Sequence, residues 1–142
     1  MAIYSLASRT SNVTTGNCCW ELRTTSTDRP RVMEIGIFLA GATASTFGLG
    51  RPQAIGITPT SPVTVQAEDP GDPAGTCQVA LAWATGPTIP LQYFRRISLP
   101  ATVGTGVIWT FPRGLVIPIS FSLILWNLSS MGVSDVYVVV DE

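Results

Sequence analysis

The amino-acid sequence predicts an all-β protein: one domain over 1–142, built as a single antiparallel β-sandwich, a jelly roll of about eight strands. Three observations carry this. No window sustains a helical period, whereas short β-branched and aromatic runs recur along the chain, separated by clusters of Gly, Pro, Asp and Asn. At 142 residues the chain is the size of one ordinary domain. That many short strands in one domain favour a sandwich over a small open barrel.

The strands are expected at 3–8, 18–24, 31–40, 46–50, 54–58, 78–84, 92–99, 106–111, 122–127 and 133–140. Alternation assigns their faces. Met33, Ile35, Ile37 and Leu39 point one way and Glu34 and Gly36 the other. Val79, Leu81 and Trp83 oppose Gln78, Ala80 and Ala82, and Val107, Trp109 and Phe111 share a face. Packing two sheets would bury these faces against each other. The last strand breaks the pattern, being apolar on both sides from Val136 to Val140, which marks Val136, Val138 and Val140 as a candidate subunit interface. Prolines 30, 52, 87, 90, 100 and 112 fall where turns are wanted. One long irregular stretch, 58–76, holds four prolines, and its Val63-Thr64-Val65 can add a short strand.

Composition points away from a free monomer. Hydrophobic residues make up 46% and charged residues 12% of the chain, against about 25% charged in typical domains. Net charge is −1, so little repulsion keeps copies apart. All eight basic residues are Arg, balanced by nine carboxylates, and do not supply the basic face that nucleic acid requires; no nucleic-acid partner is expected. The most apolar stretch, 114–126, is too short for a bilayer span and carries Pro118, so no membrane partner is expected either. The beginning, Met1-Ala2-Ile3-Tyr4-Ser5-Leu6, has no basic start and no long apolar run, so no secretory signal is expected there. The sequons at Asn12 and Asn127 are read as chance.

The chemistry available is narrow. Without His, Ser-His-Asp and Cys-His arrangements are excluded within the chain, and without Lys so are a Schiff base and a Walker lysine. The protein is expected not to be an enzyme and to use no cofactor or metal. Glu68, Asp69 and Asp72 lie close enough to hold a hard cation, yet Asp-Pro-Gly is a turn recipe, and a solvated acidic turn is the simpler account. Glu34 with one of these acids is the remaining catalytic pair to consider. Gly48-Leu49-Gly50 leads into a proline instead of a helix, which disfavours a phosphate loop. Arg95 and Arg96 must point to opposite faces of a strand, one solvated and the other free to meet a carboxylate at a sheet edge or subunit contact. Cys18, Cys19 and Cys77 are either small buried hydrophobes or include one bridge from Cys77 to Cys18 or Cys19. Trp20, Trp83, Trp109 and Trp126 allow a carbohydrate-binding module as an alternative, but each sits in an apolar strand pattern.

Four segments carry a family likeness: Glu34-Ile35-Gly36-Ile37-Phe38-Leu39, Gly50-Arg51-Pro52-Gln53-Ala54-Ile55-Gly56, Gly106-Val107-Ile108-Trp109-Thr110-Phe111-Pro112 and Leu123-Ile124-Leu125-Trp126-Asn127. Over 31–142 the chain resembles small virion proteins of tailed phages, most of all capsid decoration, or cement, proteins. That resemblance implies a β-sandwich, assembly as a homotrimer, the major capsid protein as partner, synthesis in the host cytoplasm and a final place on the capsid surface. A tail or baseplate component is the alternative within the same particle. Candidate partner contacts are Ile3, Tyr4 and Leu6 in an arm spanning 1–17, which could add a strand to a partner's edge, and Val63, Val65, Glu68, Asp69 and Asp72 in the long loop.

Overall fold

The computed structural model describes residues 2–11 and 14–142; Met1, Asn12 with its sequon, and Val13 lie outside the described residues. Within them the chain is all β. The elements are β1 (Ile3–Arg9), β2 (Cys18–Arg23), β3 (Arg31–Leu39), β4 (Ser45–Pro52), β5 (Ile57–Pro59), β6 (Val63–Thr64), β7 (Gln66–Ala67), β8 (Gln78–Ala80), β9 (Trp83–Thr85), β10 (Pro90–Leu99), β11 (Gly106–Val116), β12 (Ser122–Asn127) and β13 (Ser134–Asp141). Two antiparallel sheets pack as a sandwich. Sheet A runs β11-β3-β13-β1-β7, sheet B runs β10-β4-β12-β2-β8-β6, and β5 pairs with β9 alone.

The long strands pair in nested fashion: β4 with β10, β3 with β11, β2 with β12 and β1 with β13. The chain is in effect one long antiparallel hairpin rolled up, so that successive long strands alternate between the sheets except where β4 and β10 lie side by side. Residues 53–89 are the excursion at the hairpin's tip.

One core lies between the sheets. Sheet A contributes Val32, Ile35, Ile37, Trp109, Val136 and Val138; sheet B contributes Trp20, Leu22, Phe47, Leu49, Leu123 and Leu125. The expected facing of β3 holds for Ile35, Ile37 and Leu39 but not for Met33. A bulge where Val139 pairs Glu34 and Val140 pairs Val32 skips Met33, and Val32 takes the core position. The expected strand at 78–84 is broken at Leu81 and Ala82, and Trp83 ends on the outer face of sheet B instead of sharing the face of Val79.

Val136, Val138 and Val140 are 1%, 0% and 0% exposed, packed in the core. Their expected role as a subunit interface is therefore corrected: β13 sits in the middle of sheet A, and its inward face is covered by this chain's own sheet B. The outward side carries half-buried Tyr137 and Val139. Tyr137 lies over Gly36, where a Cβ would fall 2.0 Å from the ring, and donates to Glu34 Oε1 at 2.6 Å. Glycine at position 36 is thus a slot for the ring.

The expected partner-contacting arm at 1–17 is corrected over Ile3–Arg9, which form a strand of this chain's own sheet A. β1 pairs with β13 along its whole length and with β7 at Tyr4 and Ser5. Tyr4 is a core residue and Leu6 packs against the core. The long loop is also more ordered than expected: it lends β6 to sheet B and β7 to sheet A, closing the side of the sandwich beside β1 and β8.

Candidate association surface

Two opposite margins of the sandwich differ sharply in charge. On one side β10 and β11 are the edge strands, each paired on one flank only. Prolines and bulges disturb both: β10 shifts register between Pro90 and Arg95, and β11 between Thr110 and Leu115. Such edges resist adding another strand, so any contact here runs through side chains.

Those side chains are arginines laid on aromatic rings. The Arg95 guanidinium sits 5.1 Å from the Phe111 centroid, Arg96 is 5.6 Å from Tyr93, and Arg51, on neighbouring β4, is 4.8 Å from Phe94. Arg95 and Arg96 do face opposite ways, one toward the mouth between the sheets and one over the outside of sheet B. Stacking fixes a guanidinium while leaving most of its N–H groups free. Arg51 Nη2 donates to Val116 O at 2.7 Å and Arg95 Nη1 to Phe94 O at 2.8 Å. Arg113 stands beside Arg95, where Phe111, Pro112 and Leu115 help line a cleft of about 380 Å3. A second cleft, of about 420 Å3, lies between Arg51, Gln53, Leu91 and Tyr93. Leu91 is 81% exposed. Among the described residues none of Arg51, Arg95, Arg96 and Arg113 makes an ion pair; the two that occur are Arg9 with Asp135 at 2.7 Å and Arg23 with Glu21 at 3.7 Å.

The other margin carries acids. Glu68 and Asp69 are exposed and Asp72 half-buried, in the turn after β7. Asp69 Oδ1 accepts from Gly71 N at 2.8 Å, the geometry of an aspartate turn. Asp28 and Glu142 lie nearby. Glu142 accepts from the backbone of Thr76 and Cys77 at 2.8 and 2.7 Å, and hydrogen bonds from Thr27, Thr25 and Thr76 hold the Asp28 carboxyl below the usual range. Among the described residues no group of three or more His, Cys, Asp or Glu side chains converges as a metal site. Glu34 points out from sheet A into its bond with Tyr137, and no acid of the turn joins it in a pair.

The other candidate contacts divide. Val63 is 52% exposed, on the short edge strand β6, whereas Val65 is buried at 2%. Ile3 is half-buried, and Tyr4 is tied down by donating its hydroxyl to Pro73 O at 3.1 Å. Tyr4 and Val65 are thus parts of the core and unavailable to a partner. The arginine margin went largely unread in the sequence: Arg95-Arg96 drew notice, but Arg51 and Arg113 join them only through strand pairing. The prolines at 90 and 112, one in each edge strand, were the available signal.

Three of the four tryptophans are buried, and the fourth is engaged. Trp83 covers the outer face of sheet B against Cys18, Ile124 and Trp126. Its Nε1 donates to Glu21 Oε2 at 2.6 Å, while Glu21 Oε1 accepts from Gly56 N at 3.1 Å, so a fully buried carboxylate ties the 53–89 excursion to the sheet. Cys18, Cys19 and Cys77 are free and buried, the first of the two readings left open by the sequence. No family model, curated protein or solved structure matches the chain.

Proposed function

We propose that the protein is a virion structural subunit, a capsid decoration protein that binds the outer shell as a trimer and stabilises it. The observation that carries this is the surface itself: clefts at the sandwich margin are lined by stacked arginines and exposed leucine, and large apolar side chains stand exposed on the loops and edges, Ile57, Leu91, Val103 and Ile108 among them. Such a surface suits assembly. The nested order β1-β13-β3-β11 facing β2-β12-β4-β10 supports a jelly roll of eight long strands, an architecture at home in viral shells. The family likeness of residues 31–142 points the same way. In mechanism, the subunit binds the closed lattice and not its separated parts, so each bound copy raises the free energy of opening the shell.

The test is cosedimentation with shells assembled from the capsid protein of the phage that encodes it. The reading expects saturable binding and a higher disruption temperature for decorated shells. Absence of binding at any protein concentration overturns it.

A further inference from the structure

We propose that copies of this chain join head to tail, the arginine margin of one receiving the acidic turn of the next. This deepens the trimer in the proposed function and is independent of what the trimer sits on.

The charge separation is the first ground. Arg51, Arg95, Arg96 and Arg113 stand on or beside β10 and β11, whereas Glu68, Asp69 and Asp72 follow β7 at the opposite edge of sheet A. Four inter-strand steps part β11 from β7, about 19 Å, roughly twice the screening length at physiological salt. Neither set can neutralise the other within one chain, and no ion pair involves either set among the described residues. A second copy brings the two into contact.

The second ground is geometry. An Arg held against a ring by stacking has already lost its side-chain freedom, and its outward N–H fork matches a carboxylate. The clefts flanking Arg51 and Arg95 are concave, whereas the acidic turn projects: Glu68 to Gly71 are all exposed. Each margin also offers apolar surface, Leu91 on one and Val63 on the other. The bulged arginine edges and the two-residue strands β6 and β7 disfavour sheet extension as the joint. A contact between unlike surfaces is heterologous, and it closes into a ring when each step turns by a simple fraction of a circle. A trimer is the ring that the proposed function requires.

Charge reversal tests this, with mass read by light scattering and folding checked by circular dichroism. R95E/R96E and D69R/D72R are each expected to weaken association by at least about a hundredfold and run as monomers. An equimolar mixture of the two offers one native joint and one swapped but complementary joint between unlike chains, so the two associate in alternation into species heavier than either alone. The chain carrying all four changes presents swapped but complementary margins and recovers oligomers. High salt should dissociate the wild type. A wild-type chain that stays monomeric at high concentration and low salt overturns the proposal, even if it still binds shells and the decoration reading stands. Single reversals that leave the mass unchanged overturn it too. If the wild type is monomeric and instead binds single-stranded DNA in a manner lost in R95E/R96E, the margin is a nucleic-acid site and the proposal fails.

Discussion

Replacing Trp83 by Phe isolates the bond that fastens the 53–89 excursion to sheet B. The indole Nε1 lies 2.6 Å from Glu21 Oε2, and Glu21 is 0% exposed. Phenylalanine keeps most of the ring's contact with Ile124 and Trp126 but removes the donor, leaving a buried carboxylate oxygen with only Arg23 at 3.7 Å. A hydrogen bond to a charged group contributes about 1.5–3 kcal/mol net, and the unsatisfied oxygen pushes toward the upper half of that range. We expect W83F to lower stability by about 2–3 kcal/mol. With a urea slope of roughly 1–3 kcal/mol per molar, the midpoint should fall by roughly 0.7–3 M with no change in slope. E21Q should destabilise comparably, because a carboxamide sets an N–H group against either Gly56 N or the indole. In a double-mutant cycle the pair should couple by at least about 1 kcal/mol. A W83F loss below about 0.5 kcal/mol, the range of ordinary surface changes, would refute the claim that this bond holds the excursion down.

The two faces of β13 should respond differently: V138A should lower stability by about 1–3 kcal/mol by loss of buried methyls, whereas V139A on the half-buried side should hardly move the urea midpoint. Alkali should destabilise the fold. Burial pushes the Cys19 thiol from its ordinary 9.0 up to about 12, and burial, reinforced by the bond to Glu34, raises the Tyr137 phenol from 10.0 to about 12. Folded-state values raised in this way mean stability intact below the ordinary values and lost as pH climbs from about 9 toward 12, visible as phenolate absorbance delayed in the native protein and restored to normal in urea. The hydrogen bond from Arg9 holds the Asp135 carboxyl below its usual range; R9A should raise it, as read by NMR titration, with scarcely any shift in melting temperature because the pair is exposed. A depressed carboxylate adds its small stabilisation above the ordinary range and loses it as pH falls through the folded value.

Strands were legible because they are local. Alternation located Ile35 and Ile37, and the bounds of β12 at Ser122 and Asn127 follow from an apolar run ended by polar residues. Partners were not, because pairing is set by the nested hairpin across most of the chain, as when Ile3 meets Asp141. The two errors of consequence share that cause. An apolar run such as Val136 to Val140 has the same composition at a subunit contact and in a central strand between β3 and β1; only its neighbours distinguish the two. A segment such as Ile3 to Leu6 is a free arm or a fixed strand according to whether β13 returns beside it.

The charge pattern is the same lesson turned to use. Spread along the sequence, eight arginines and nine carboxylates imply near-neutrality and no basic face. Rolled into two sheets, the chain sets Arg51, Arg95, Arg96 and Arg113 along one margin and Glu68, Asp69 and Asp72 along the opposite one. Net charge governs repulsion between copies at long range, and near zero it is weak. The separation of the charges governs orientation at short range, because like margins repel and unlike margins attract. A nearly neutral chain with two opposite margins is therefore biased against the symmetric face-to-face dimer and toward the repeated step that builds a ring. Composition alone conceals that bias.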